Sequence, residues 1–314
     1  MAKHKLIQIN EVGLRDGLQN QSEILSTNDK FSLYKSLVRQ GFLDLEVGAF
    51  VRDDRVPQMA DTAELLALTQ SLFKKTPIPP KLKRHVLIPN LRGLETALLN
   101  NNFEVVSVFT AASETFVRKN IGLSIRESLE EFRHIVKRAK SKKLKIRGYV
   151  STAYVCPFEG PISPRKTKSV VSALIEMGCY QVSVGDTIGA ASPKQVRDLW
   201  KTLLGSFPGS KFSGHFHDTY GTALANVLES LNHGITSFDS SLGGLGGCPF
   251  APGASGNLAT EDLVYLLEKM GFHSGISFAR LCEASLQFFD SITIPTRSRA
   301  LDAFRAKSGK SCST

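Results

Sequence analysis

The sequence predicts an α/β fold, a closed (β/α)8 barrel of the TIM type with a short C-terminal helical extension. Short β-branched segments alternate with segments of helical periodicity, and the alternation repeats eight times within residues 1–271. Such alternation gives parallel strands joined by right-handed crossovers, and eight repeats favour closure into a barrel. The glycine-rich fingerprint typical of an open dinucleotide-binding sheet does not follow the first predicted strand. We therefore predict a barrel over 1–271 and a helical extension with a polar tail over 272–314.

The predicted strands are rich in valine, isoleucine and aromatic residues, which suit a pleated and buried surface. They span residues 5–12, 43–50, 84–89, 103–109, 145–151, 180–186, 211–217 and 235–242.

The predicted helices lie between and after these strands. They span residues 27–40, 59–73, 91–101, 124–142, 164–177, 192–206, 219–233 and 257–270. Capping residues begin several of them: Ser26 or Thr27, Ser124, Ser163 and Ser192. Terminating glycines follow several of them, at Gly41, Gly178, Gly234 and Gly271.

The composition excludes several classes of protein. With 42% hydrophobic and 22% charged residues, the chain is neither wholly disordered nor fibrous. No apolar run reaches the ~18 residues of a membrane span, and the early first strand leaves no room for a signal peptide. Five cysteines without a CxxC pair argue against a zinc ribbon or a disulfide framework and for a reducing compartment. We expect a cytoplasmic protein that does not insert into membranes.

The positive charge has three interpretations. There are 39 Lys and Arg against 29 Asp and Glu, a formal net charge of +10, and the excess concentrates at 74–84 and 137–147. Nucleic-acid binding is disfavoured because no aromatic residues are interleaved with the lysines. A solvated helix end explains 137–143 better, since cations stabilise a helix C-terminus. The third interpretation, a basic rim that attracts an anionic substrate such as an acyl-coenzyme A, is left open.

Polar and charged residues, which are uncommon in a buried core, occur after several of the predicted strands. The active sites of such barrels lie at these strand ends. His215 and His217 stand two apart in a strand and so share one face. A single strand histidine is usually a core residue, but such a pair favours a divalent cation. Asp16 and Asn257 can add a carboxylate and an amide oxygen, and this mixed set suits Mg²⁺ or Mn²⁺ better than a structural zinc.

Three charged residues are further candidates. Arg15 can form an ordinary ion pair with Asp16, or it can stabilise an oxyanion beside the cation. Glu46 can be a tether for Arg15 or an active-site carboxylate. Asp186 can be a neighbour of the metal, a hydrogen-bond anchor or an acid/base group.

The segment 243–257 holds six glycines and two prolines in fifteen residues, with Cys248 inside it. A flexible connection is the simplest interpretation. A loop of this length in a barrel is uncommon unless it covers a binding site, so we favour a mobile lid. A thiol on such a lid can exchange a proton when the lid closes.

These residues resemble those of the 3-hydroxy-3-methylglutaryl-coenzyme A lyases, a family within the metal-dependent (β/α)8 lyases and synthases. The matching segments run over nearly the full length: EVGLRDGLQN (11–20), LEVGAFV (45–51), CPFEG (156–160), SVGDTIG (183–189), GHFHDTYG (214–221) and GGCPFAPGASGN (246–257). Leu14 and Gln21 depart from the family pattern, which usually has proline and commonly an acidic residue there.

The resemblance implies cleavage of 3-hydroxy-3-methylglutaryl-CoA into acetyl-CoA and acetoacetate by a metal-assisted retro-Claisen reaction. It implies Asp16, His215, His217 and Asn257 as metal ligands. It implies Arg15, Cys248, Glu46 and Asp186 as catalytic residues, with the base open among Asp186, the histidines and Cys248.

Two alternatives stay open beside that reaction. One is an aldol-type cleavage of another 3-hydroxyacyl-CoA or a 4-hydroxy-2-oxo acid, and the other is a basic scaffold or nucleic-acid-binding protein. We expect an acyl-coenzyme A partner, no nucleic-acid partner and a homodimer.

Overall fold

The computed structural model describes residues 6–73, 79–100, 102–247 and 256–309. Ten strands are described, of which eight form the barrel. They are β1 (Gln8–Glu11), β2 (Asp44–Ala49), β3 (Lys83–Leu87), β4 (Val105–Ala111), β5 (Lys145–Ser151), β6 (Val155–Cys156), β7 (Gly160–Pro161), β8 (Gln181–Asp186), β9 (Phe212–Phe216) and β10 (Ser237–Ser240). The barrel closes in the order β1-β10-β9-β8-β5-β4-β3-β2, with every pair parallel. The predicted (β/α)8 barrel is confirmed.

Eleven α-helices are described around and after the barrel. They are α1 (Thr27–Gln40), α2 (Thr62–Leu72), α3 (Leu91–Asn100), α4 (Glu114–Ile121), α5 (Ile125–Ser141), α6 (Pro164–Met177), α7 (Pro193–Leu204), α8 (Ala223–Asn232), α9 (Thr260–Lys269), α10 (Phe278–Phe289) and α11 (Arg299–Lys307). The four predicted serine caps are present, each accepting a backbone N–H with its hydroxyl oxygen. Each predicted helix is therefore found, with its ends shifted by at most a few residues.

Three local elements were not predicted. Helix α4 has only eight residues, capped by the Ser113 hydroxyl and ended by Gly122 at φ 74°. A π-helical turn, Gly13–Gly17, follows β1, and β6 pairs with β7 in a small antiparallel hairpin. Such short elements are set by tertiary contacts rather than by a repeating hydrophobic pattern.

The helices bury one apolar stripe each against the barrel. In α7 the stripe is Val196, Leu199, Trp200 and Leu203, at the spacing expected of a helical face. Trp200 is fully buried, packs against Phe212 of β9 with ring centroids 5.8 Å apart, and donates its indole N–H to Ser230. Burying each such side chain stabilises the fold by roughly 1.5–3 kcal/mol.

The C-terminal helices pack onto the barrel layer. Helix α10 contacts α1, α9 and α11, and Leu281, Cys282 and Leu286 on it are buried. Phe289 at its end packs so closely on Gly243 that the glycine could not carry a side chain without displacing the ring. Gly243 also has φ +60°, a conformation that favours glycine. The predicted extension thus supports the turn that follows β10.

Several sequence predictions concern single residues and segments. Cys156, Cys179 and Cys282 are free and buried, as predicted. The basic run that begins at residue 137 forms the last turns of α5, also as predicted. Residues 1–5 and 74–78, Cys248 and Cys312 lie outside the described residues. Within the described part, the helices are all too short or too polar to cross a lipid bilayer.

Candidate metal centre and active site

Three of the predicted metal ligands meet at the C-terminal end of the barrel. Strand β9 carries His215, His217 follows it, and Asp16 comes from the π-helical turn after β1. One nitrogen of each histidine and one carboxylate oxygen of Asp16 all lie within 4.8 Å of one another. The two imidazole centroids are 5.2 Å apart, and both rings are buried. The two histidines therefore lie on one face, as their spacing predicts.

The turn that presents Asp16 is held by packing. Gly17 lies so close to Ser241 and Leu245 that a Cβ there would force both to move. Leu14, where the family pattern has proline, is almost completely buried in the core. Gln21 donates from its side-chain amide to the carbonyl of Gly17 at 3.1 Å. The turn is therefore stiffened by buried contacts without a proline at position 14.

Arg15 lies between two carboxylates. Its Nε donates to Glu46 Oε2 at 2.7 Å, its Nη2 lies 2.6 Å from the same oxygen, and its Nη1 donates to Asp16 Oδ1 at 2.7 Å. Burial alone would lower the pKa of Arg15, but Glu46 and Asp16 outweigh it and raise that pKa. Burial likewise tends to raise the pKa of Asp16, yet Arg15 and the two histidines lower it to about 2. Arg15 is therefore a fixed cation, and Asp16 is a carboxylate ready to bind a metal.

Each histidine has its Nδ1 engaged by an oxygen. His215 Nδ1 is 3.2 Å from Asp239 Oδ2, and His217 Nδ1 is 3.1 Å from the backbone oxygen of Asp186. This leaves the Nε2 lone pair of each ring for a ligand. Burial and the neighbouring His215 lower the pKa of His217 to about 4, so that imidazole is neutral at physiological pH.

Asn257 lies beside this triad but presents its amide nitrogen to it. Its Nδ2 donates to Asp16 Oδ2 at 2.8 Å and to the carbonyl of Leu245 at 3.1 Å. A backbone bridge between Asn257 and His217 fixes the two residues side by side. The amide is thus close enough to belong to the same site.

Asp186 and Glu46 are both buried, with different surroundings. The carboxylate of Asp186 accepts the backbone N–H groups of Ala190 and Ala191, each at 3.0 Å, and burial raises its pKa to about 6. Glu46 Oε2 also accepts the hydroxyl of Tyr149 at 3.2 Å, whereas its Oε1 is buried and has no hydrogen-bond partner among the described residues. Asp186 shapes the turn before α7, while Glu46 tethers Arg15 as one of the sequence interpretations proposed.

Three residues of the site were not identified from the sequence. The ring of Tyr149 lies between two guanidinium groups, 5.5 Å from Arg15 Cζ and 4.8 Å from Arg147 Cζ, and meets His215 edge-on. Arg147 forms a fully buried ion pair with Asp239, which contacts His215. The sequence signal for these residues is a charged or polar residue inside a barrel strand, here β5 and β10. The partners of such residues become known only from the closed barrel.

The triad opens into a cleft of ≈ 350 Å³. Its lining includes Arg15, Asp16, His215 and His217, together with apolar side chains and with Arg52 and Arg55. Gly247, which precedes Cys248, also lines the cleft and accepts a hydrogen bond from Asn20 at 2.9 Å. The described start of the glycine-rich segment is therefore at the site, whereas Cys248 itself is outside the described residues.

Comparison with known proteins agrees with this geometry. The HMGL-like family model matches residues 6–287. The mitochondrial hydroxymethylglutaryl-CoA lyase of Macaca fascicularis is 45% identical over 299 residues, which covers 95% of this chain and 90% of that protein.

Two solved structures are also similar. The crystal structure of the hydroxymethylglutaryl-CoA lyase from Pseudomonas aeruginosa has a TM-score of 0.91 at 41% identity, covering 98% of this chain and 100% of that chain. An HMG-CoA lyase from Acinetobacter baumannii, in complex with coenzyme A and 3-methylmalate, has a TM-score of 0.88 at 33% identity, covering 100% of this chain and 98% of that one. With this agreement over nearly its full length, the chain belongs to the HMGL-like family.

Proposed function

We propose that this protein is a carbon–carbon lyase that cleaves 3-hydroxy-3-methylglutaryl-CoA into acetyl-CoA and acetoacetate. The observation that carries the proposal is the cluster of Asp16, His215 and His217 beside the buried cation Arg15, in one cleft. The hydroxymethylglutaryl-CoA lyase from Macaca fascicularis, 45% identical over 299 residues, supports the reaction and the substrate.

The residues fit a divalent cation of the Mg²⁺ or Mn²⁺ type. Two imidazole nitrogens and one ionised carboxylate converge. Asn257 lies next to them with its amide nitrogen on Asp16, so a half-turn of the amide would present its oxygen as a fourth ligand. This mixed nitrogen and oxygen set suits a cation that keeps open positions for substrate and water. When bound, the cation supplies Lewis acidity that lowers the pKa of the substrate hydroxyl and orients it.

Arg15 is proposed to stabilise the developing negative charge. The reaction removes the proton of the C3 hydroxyl, breaks the C2–C3 bond and leaves the electron pair on the thioester as an enolate, while C3–O becomes the ketone of acetoacetate. Glu46 and Asp16 hold the guanidinium, and Tyr149 packs on its face. A donor fixed in advance stabilises an oxyanion without the cost of reorganising during the reaction.

Cys248 is proposed to complete the reaction by giving its thiol proton to C2 of the enolate, which yields acetyl-CoA. The thiolate left behind then regains the proton that the base took from the substrate hydroxyl. The position of Gly247 at the cleft supports this role, because the next residue in the chain is Cys248. The base that takes the hydroxyl proton is proposed to be Asp186 or Cys248, because the Nε2 lone pair of each histidine is assigned to the cation. The raised pKa of Asp186, about 6, suits proton exchange near neutral pH.

The substrate is proposed to enter as a coenzyme A thioester. Arg52 and Arg55 line the outer part of the cleft, where cations attract the phosphates of coenzyme A. The related Acinetobacter baumannii structure contains coenzyme A, which supports this substrate class.

A coupled assay for acetoacetate release, with metal content measured on the same sample, tests the proposal. We expect turnover of 3-hydroxy-3-methylglutaryl-CoA that is lost on chelation and restored by Mg²⁺ or Mn²⁺. A panel that includes other 3-hydroxyacyl-CoA thioesters and 4-hydroxy-2-oxo acids separates related reactions. Preferred cleavage of another member of the panel, or activity indifferent to chelation, would contradict the proposal.

The compartment and the oligomeric state are also proposals. Free, buried thiols at Cys156, Cys179 and Cys282 suit a reducing compartment such as the cytoplasm. Homodimer formation stays a prediction from the sequence, and light scattering coupled to size-exclusion chromatography would measure it. Cell fractionation would test the compartment.

A further inference from the structure

Asp239 lies at the centre of a buried polar network below the proposed metal centre. It belongs to β10, next to His215 of β9 in the barrel register, and both it and Arg147 are completely buried. The ion pair between Arg147 Nη2 and Asp239 Oδ1 measures 2.5 Å and compensates the buried negative charge.

Both oxygens of Asp239 are held by several donors. The donors to Oδ1 are Arg147 Nη2, Ser213 Oγ and Asn10 Nδ2, and those to Oδ2 are Arg147 Nη1, Ser183 Oγ and His215 Nδ1. These six donors surround a carboxylate that has only about four lone-pair positions, so both oxygens are fully engaged and the group cannot rotate. Oδ2 is therefore fixed as an acceptor at 3.2 Å from the imidazole.

A fixed acceptor at Nδ1 has a direct consequence for the other ring nitrogen. Oδ2 of Asp239 keeps the proton on Nδ1 of His215, so Nε2 carries the lone pair. That Nε2 lies 3.7 Å from Asp16 Oδ2, on the side of the triad. The orientation and tautomer that a metal needs are thus set before any ligand arrives.

We propose that Asp239 is a positioning residue that fixes the tautomer and the ring orientation of His215 for a divalent cation. The inference rests on the metal site proposed above. Asp239 itself does not touch the cation or the substrate, because its two oxygens are already shared among six protein donors.

The barrel offers a matched control in Asp44. This buried aspartate at the start of β2 also pairs with a cation and a histidine, Lys83 at 2.8 Å and His85 Nε2 at 3.2 Å. It lies at the opposite, N-terminal end of the barrel strands from the triad. Asp44→Asn therefore disturbs the same kind of cluster without contacting a proposed ligand.

The experiment measures Mn²⁺ binding to the metal-free full-length protein by electron paramagnetic resonance and calorimetry. We expect Asp239→Asn to weaken Mn²⁺ binding by roughly 10–100-fold, as other residues that orient metal-bound histidines do. Asp44→Asn should bind Mn²⁺ as the wild type does. Circular dichroism and thermal denaturation of both variants verify that folded proteins are compared. Equal Mn²⁺ affinity in folded Asp239→Asn and wild type would overturn the inference.

A second measurement uses only the wild-type protein, so it tests the inference even if Asp239→Asn does not fold. Long-range ¹H–¹⁵N spectra of the metal-free wild type, at a pH where imidazoles are neutral, report which nitrogen of His215 carries the proton. We expect protonated Nδ1, and a protonated Nε2 would overturn the inference. A wild type that binds no Mn²⁺ at all would instead overturn the proposed metal site and the inference with it.

Discussion

At the scale of single residues, the site depends on opposite charges placed in contact before any substrate arrives. Arg15 touches both Glu46 and Asp16, so its guanidinium has little freedom to turn. A buried cation in this arrangement stays charged, because the two carboxylates outweigh the effect of burial on its pKa. The same contacts hold Asp16 in its ionised form. One ion pair therefore prepares both the proposed oxyanion stabiliser and a proposed metal ligand.

Arg15→Gln should lower kcat by about 10²–10³-fold, the loss typical of removing one donor to a developing oxyanion. The metal content should change little, because the four proposed ligand side chains are retained. Steady-state kinetics with metal analysis of the same preparation measures both quantities. Arg138→Gln is the control, since Arg138 pairs with Glu95 on the surface away from the cleft. Near-normal kcat in Arg15→Gln would rule out the role given to Arg15.

Cys248→Ser should also reduce kcat by orders of magnitude, because a serine hydroxyl is a far weaker acid than a thiol. Substrate binding should be nearly unchanged, since the side chains differ by one atom. Single-turnover kinetics together with a binding assay separates these effects. Cys179→Ser is the control for loss of a thiol, because Cys179 is buried in the core. Turnover close to wild type in Cys248→Ser would remove the thiol from the mechanism.

Residue patterns could identify most of these side chains but not their partners. The same-face pair His215 and His217 and the polar run at Arg15 and Asp16 stand out along the chain. Asp239 and Arg147 do not stand out, because the sequence shows each of them only as a single charged residue in a strand. Their pairing becomes visible only when the barrel brings the two strands together. Their contact joins residues 92 apart in sequence.

At the scale of elements, the turn after β10 is fastened by two buried carboxyl groups. Glu11 Oε1 accepts the backbone N–H groups of Gly13 and Leu242, while Glu261 accepts that of Gly243. The glycine-rich segment leaves the barrel from this turn. Burial raises the pKa of Glu11 to about 8 and that of Glu261 to about 7, against the hydrogen bonds that lower both.

The raised pKa of Glu11 predicts that alkaline pH destabilises the protein. Between about pH 4.5 and about pH 8 the folded state binds more protons than the unfolded state, so the free energy of unfolding falls as pH rises through this window. Glu11→Gln should remove the part of this fall that is due to Glu11, on the order of 5 kcal/mol. Urea unfolding at several pH values measures it.

Glu127→Gln is the control for this pH dependence. Glu127 is the exposed capping residue of α5, and its hydrogen bonds to Ser124 lower its pKa. It is therefore already ionised throughout the window, in the folded and the unfolded state alike. A pH dependence that is the same in Glu11→Gln and wild type would show that Glu11 is ionised in the folded protein.

Helices with a repeating hydrophobic pattern were predicted correctly, whereas short elements that form through tertiary contacts were not predicted. The spacing of apolar residues and the serine caps gave α1 and α6 with their observed ends. The π-helical turn Gly13–Gly17 has no such pattern, since it forms where buried groups of the segment after β10 pack against two glycines. That turn nevertheless carries Arg15 and Asp16, so the least predictable element is the one on which the proposed chemistry depends.

At the scale of the whole molecule, the barrel and the C-terminal helices share apolar surface. Helix α10 lies against α1, the first barrel helix, and against α9, the last one. Its buried side chains include Leu281, Leu286 and Phe289. Phe289 also packs on Gly243 in the turn fastened by Glu11 and Glu261. Helix α10 of the C-terminal extension is thus in contact with the turn at the rim of the proposed active site.

A chain that ends at Gly271 should therefore fail to reach a stable fold. Three of the buried side chains of α10, Leu281, Leu286 and Phe289, each contribute roughly 1.5–3 kcal/mol. Together this is comparable with the ~5–15 kcal/mol that holds a typical domain folded. A chain that ends at Ser308 keeps α11 and should retain the wild-type Tm and kcat. Soluble yield, circular dichroism and thermal denaturation of the two truncated proteins measure this difference. A soluble 1–271 protein with the wild-type Tm would mean that the barrel folds without the extension, and its kcat would then report whether the packing of Phe289 on Gly243 is needed for turnover.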